Sequence, residues 1–142
     1  MQCKYLGFHL KAGKTCLFDY EPSIRSFYRA TNSILRSHQK PNQNVLMHLL
    51  YSNCMPILTW GSEVKEYADY EFSQMSTAVN SAIRQIFYPC YWQTVSQIRE
   101  GFRKPSLSEI FSKSKQRFHA SLLESANILV RNLFLLQHDP YW

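Results

Sequence analysis

Hydrophobic and polar positions change rhythm once early in the chain, and that change divides it. Residues 3–20 alternate: Tyr5-Leu6-Gly7-Phe8-His9-Leu10, then Lys11-Ala12-Gly13-Lys14, then Thr15-Cys16-Leu17-Phe18. Alternation interrupted by a glycine-bearing polar stretch predicts a β-hairpin turning at residues 11–14. Gly7 then falls inside a strand, where a glycine predicts a bulge or a point of close backbone approach.

From Glu21 onward the spacing becomes helical. Pro22 suits a first-turn position, and Ile24, Phe27, Tyr28, Ile34 and Leu35 recur at three and four residues, which marks a buried face. Arg25, Arg29, Asn32 and Arg36 follow one another at four, three and four, so they line the other side of the same helix as a basic ridge. A polar break at His38-Gln39-Lys40-Pro41-Asn42 ends this helix, and Asn42 or Asn44 can cap the next. Val45, Leu46, Leu49, Leu50 and Cys54 give the second helix its apolar face, and Met55-Pro56-Ile57-Leu58-Thr59-Trp60-Gly61 closes it. Acidic residues from Glu63 to Glu71 favour a helix start, and Phe72, Met75, Val79, Ala82, Ile83 and Ile86 carry a third helix to Pro89.

After a short helical stretch over Gln93–Glu100, Phe102-Arg103-Lys104-Pro105 reads as a hinge. Ser106-Leu107-Ser108-Glu109 matches a capping box opening a last helix, whose apolar positions run from Leu107 through Leu136 to the break at Asp139-Pro140. The expected fold is mostly α: a β-hairpin over residues 1–20, a helical bundle over 21–100 and a C-terminal segment over 101–142 with one long helix.

Charge adds to this picture through its distribution. The net charge is +6, with seven basic against two acidic residues in 1–50, three against five in 51–100 and six against three in 101–142. Two basic zones flank an acidic middle, and basic zones attract phosphates. The apolar fraction of 45% excludes the disordered classes. No run approaches the roughly 18 apolar residues of a membrane span, and the N-terminus has no signal-peptide character, so an intracellular chain, cytoplasmic or nuclear, is expected. Cys3, Cys16, Cys54 and Cys90 are scattered without metal-ligand spacing and read as free thiols.

Catalytic chemistry is missing from the pattern. Two-metal polymerase chemistry needs paired carboxylates. Tyr67-Ala68-Asp69-Tyr70 approaches the Tyr-x-Asp-Asp box, but Tyr70 stands where the second aspartate would be, and the segment opens a helix. No phosphate-binding glycine loop, nucleophile elbow or His-Glu-x-x-His helix is present. The five histidines are dispersed, and no nucleophile sits beside a base. The expectation is a protein with no catalytic residues, no metal and no cofactor.

An ordered series of motifs sharpens the functional reading. Lys4-Tyr5-Leu6-Gly7, a hairpin and an Arg/Asn-rich helix are followed by Pro56-Ile57-Leu58-Thr59-Trp60-Gly61-Ser62-Glu63. This order resembles the part of non-LTR (LINE-type) retrotransposon reverse transcriptases in which a Tyr-Leu-Gly primer-grip hairpin precedes the helical thumb and its Pro-x-Leu-x-Tyr-Gly-x-Glu signature. Trp60 departs from that pattern's tyrosine. The resemblance covers residues 3–63 well, continues to about residue 100 and is thin beyond.

In that family the fingers and the palm with its aspartates precede the hairpin. The resemblance therefore implies a non-catalytic C-terminal fragment, with a primer-grip-like hairpin and a thumb-like bundle. It implies that Tyr5, Leu6 and Gly7 lie at the primer terminus, that Arg25, Arg29, Asn32 and Arg36 face the duplex, and that the partner is an RNA–DNA or RNA template–primer duplex. Loss of the palm would also uncover apolar surface. The alternative is thus a helical protein-interaction or self-associating remnant with no nucleic-acid role.

Overall fold

The structure, a computed structural model, describes residues 2–11, 17–37, 42–88 and 94–137. Its architecture is the mostly helical one expected, with an N-terminal antiparallel sheet followed by helices. The sheet has three strands, β1 (Gln2–Tyr5), β2 (Phe8–Lys11) and β3 (Leu17–Asp19), in the order β1-β2-β3. The expected hairpin is β2 with β3, paired His9 to Asp19 and Lys11 to Leu17. Its turn lies, from Ala12 to Cys16, outside the described residues.

One strand assignment is corrected. Gly7 does not sit in a strand as a bulge; with Leu6 it forms the two-residue loop between β1 and β2, whose last pair is Tyr5 with Phe8. Leu6 has φ 47° and Gly7 φ 84°. Positive φ at both loop positions is the type I′ geometry whose twist matches paired strands. A leucine at the first of them is uncommon for an L side chain, and for that reason alternation alone did not locate the turn.

Asp19 ends the sheet and starts α1 (Glu21–Arg36). Its carboxylate accepts from the Glu21 amide at 3.2 Å and pairs with Lys11 at 3.2 Å. Asn42 caps α2 (Gln43–Leu49) by accepting from the Asn44 amide at 2.9 Å. A π-helical turn, Leu50–Cys54, then joins α2 to α3 (Met55–Thr59) without a break. Pro56 explains it: proline has no amide hydrogen for the α-helical ladder, and the Met55 amide reaches back five residues to the Leu50 carbonyl.

Two further helices complete the central part, α4 (Asp69–Ile86) and α5 (Val95–Gly101). Glu71 helps open α4 by accepting from the Ala68 amide at 2.9 Å. Phe27 of α1, Met47, Leu50 and Leu58, Met75, Val79 and Ile83 of α4 and Ile98 of α5 are buried together.

Leu107 and Phe111, in the first two turns of α6 (Leu107–Leu123), belong to the same core, and Phe111 stacks on Tyr67 at 5.3 Å between ring centres. The stretch expected as a hinge is thereby tied down. Phe102 packs on Phe87 at 5.1 Å, and the Tyr51 hydroxyl donates to the Pro105 carbonyl at 2.9 Å. Ser106 caps α6 through the Glu109 amide at 3.2 Å, but the Glu109 carboxylate meets the serine hydroxyl, at 3.0 Å, instead of completing the box at the backbone.

The long last helix is interrupted. After α6 the chain turns at residues 124–127 before α7 (Ile128–Gln137). Ser125 accepts from the Asn127 amide and Asn127 from the Leu129 amide, at 3.2 and 3.0 Å. These local bonds offer the backbone an alternative to the helical ladder.

Candidate nucleic-acid interface

Helical spacing places the ridge as expected. Phe27 and Thr31 of α1 face inward, and Arg25, Arg29, Asn32 and Arg36 are all exposed. Arg25 bonds Glu21 at 3.1 Å, an open i,i+4 pair that a phosphate can displace. Arg29 and Arg36 make no ion pair among the described residues. From Arg25 to Arg36 the helical rise is about 16 Å, close to five base pairs of duplex.

Tyr5 and Leu6 project from the β1–β2 turn and are 64% and 71% exposed. Gly7 lies against the Trp60 indole: a methyl group there would stand 3.1 Å from Nε1. Gly61, at φ +70°, lies against the Phe8 ring so closely that a methyl group would overlap it. The two motifs, far apart in sequence, therefore interlock through their glycines, each accepting the other's aromatic ring.

Between this interlock and the start of α1 runs an open groove of about 370 Å³, lined by Lys4, Gly7 and His9 of the sheet, Pro22, Ser23 and Ser26 of α1, and Trp60 and Lys65. On α1 the groove wall of Pro22, Ser23 and Ser26 meets the ridge where Ser26 and Arg29 stand three residues apart, the ridge being centred about a quarter turn further round the helix. The strand turn, groove and ridge thus form adjoining parts of one surface.

Lys65 is the residue that sequence reading missed. It is only 5% exposed, yet forms no ion pair among the described residues. Its ammonium lies over Phe8 at 4.5 Å, Phe18 at 5.3 Å and Tyr67 at 5.9 Å from the ring centres. Ring quadrupoles compensate part of the desolvation. Burial pushes the Lys65 amine below its ordinary value, with Glu71 opposing. The only advance signal was an acid-flanked lysine just after Trp60-Gly61, which does not disclose the strand aromatics around it.

Asp69, from the segment resembling a catalytic box, is exposed as the first residue of α4. Among the described residues no three His, Cys, Asp or Glu side chains gather as metal ligands, and no helix is long and apolar enough to cross a membrane. Cys54 is buried in the core, and burial raises its thiol. No family model matches the chain, and neither a curated protein nor a solved structure shows significant similarity to it.

Proposed function

We propose that this chain is a non-catalytic module related to the primer-grip and thumb region of a LINE-type reverse transcriptase, and that it holds a template–primer duplex by its backbone. The observation that carries the reading is the exposed row of Arg25, Arg29, Asn32 and Arg36 beside a groove whose lining includes Lys4 and Lys65. Among the described residues nothing beyond the exposed Arg25–Glu21 pair engages these three arginines.

Guanidinium groups along a helix suit the regular spacing of phosphates, and such contacts leave base identity unread. Tyr5 at the strand turn and Trp60, 62% exposed beside the groove, offer flat faces on which a terminal base can stack. The proposed division of labour is that the ridge grips the duplex and the turn positions its end.

Fluorescence anisotropy with a labelled RNA–DNA hybrid tests this reading. The logarithm of affinity is expected to fall linearly with the logarithm of salt concentration, and affinity to be indifferent to sequence. An absence of binding at low salt refutes it.

A further inference from the structure

α7 is apolar on nearly every side, and among the described residues its main contacts are with α6, where Phe134 lies 5.2 Å from His119 between ring centres. Leu129, Leu133 and Leu136 are 72%, 63% and 51% exposed. Their spacing of four and three puts them on one side of the helix, more than a third of a turn from Phe134. Ile128 and Leu135, about a third of a turn further round α7, and Leu123 at the end of α6 are exposed as well.

We infer that this face is the interface of a twofold-symmetric dimer, in which α7 packs against α7 of a second copy of this chain. Four–three leucine spacing is the seam of paired helices, and an isologous contact needs only one such stripe, since it is its own complement. The six residues expose roughly 600 Å² together, the upper end of what a monomer carries as a single patch. Covering all of it on both copies removes about 1,200 Å², the lower edge of the range of specific interfaces.

Charge favours the same occupant. The only charged residue of α7 is Arg131, about half a turn from the leucine stripe and at the edge of the patch beside Ile128 and Leu135, so two positively charged chains meet at the stripe without facing charges. The stripe has no donor for a phosphate. A helix of 10 residues is too short to span a bilayer, and α7 lacks the lysine- and arginine-rich face that holds interfacial helices to headgroups. The seam is on α7 and the arginine ridge on α1, so this inference does not depend on duplex binding.

Sedimentation velocity of the full chain at tens of micromolar provides the test. The expected species has twice the 16.8 kDa chain mass and persists from low to high salt. Leu129→Glu with Leu133→Glu is expected to weaken association by more than about a hundredfold, with the circular dichroism spectrum and melting temperature retained because both side chains are exposed. Should the glutamates disturb the fold, Leu129→Ala, Leu133→Ala and Leu136→Ala together are expected to weaken it at least about tenfold. A monomeric wild type, or a dimer that survives these substitutions, overturns the inference. So does a monomer that co-sediments with neutral phosphatidylcholine vesicles, since that result assigns the face to a lipid surface.

Discussion

Replacing Arg25, Arg29 and Arg36 together by alanine removes the ridge while leaving the core untouched. Each arginine that neutralises a phosphate releases counterions and adds about 0.9 to the slope of log affinity against log salt on a B-form duplex, less on a single strand. Arg29 and Arg36 carry no competing ion pair among the described residues, whereas Arg25 must exchange Glu21 for phosphate and contributes a fraction. The slope is therefore expected to shrink by about 2. Raising salt from about 50 to 200 mM costs wild type about tenfold more affinity from this term alone than it costs the variant. Anisotropy at several salt concentrations measures the slope. Because the three side chains are exposed, the stability change is expected to stay within about 0.5 kcal/mol per site, which a denaturant titration checks. A variant with unchanged affinity and slope, folded as wild type, refutes the assignment of the ridge.

Three other substitutions probe the framework. Gly61→Ala meets the Phe8 ring and forces an L side chain to φ +70°, so a loss of about 2–4 kcal/mol is expected, read as a melting temperature lower by about 10 °C; a melt within a degree or two of wild type contradicts the interlock. Ser106→Ala removes the α6 cap and is expected to cost about 1 kcal/mol in urea unfolding, and a neutral result would show that the Glu109 amide is otherwise satisfied. Lys65 has a lowered folded value, so its burial penalty is complete at neutral pH and fades as pH rises through that value toward the unfolded 10.5. Wild type is therefore expected to gain stability relative to Lys65→Met from neutral pH to about 10, and a difference independent of pH shows that the amine is solvated. Tyr67, pushed up to about 12 by burial and then by Glu71 and Glu63, begins to lose its contribution only above the ordinary phenol value, at the far edge of this range.

Elements whose evidence is confined to one segment were legible in the sequence. The two faces of α1 follow from spacing within sixteen residues, and the helical cores of α2, α4 and α6 follow from the same rule. Features depending on a rare backbone state or a distant partner were hidden. Leu6 at positive φ turned an apparent strand into two, and Ser125 and Asn127 broke a continuous apolar pattern with side-chain bonds. The groove was hidden for a similar reason: Lys65 acquires its surroundings from β2, β3 and the loop before α4, and no local pattern announces that convergence.

This contrast assigns different weights to the parts of the proposed surface. Tyr5-Leu6-Gly7 and Trp60-Gly61 carry the resemblance to the polymerase family, yet the fold gives both glycines a structural reason: each accommodates an aromatic ring contributed by the other segment. Loss of binding after Gly61→Ala would therefore confound unfolding with loss of contact. The arginines differ because their charge answers no structural demand within the described residues beyond one exposed i,i+4 pair, worth only a few tenths of a kcal/mol. A folded protein gains nothing from clustering like charges on one side of a helix, where neighbours three or four residues apart repel. An anionic partner reverses that sign, and the ridge, more than the motif series, therefore bears the functional proposal.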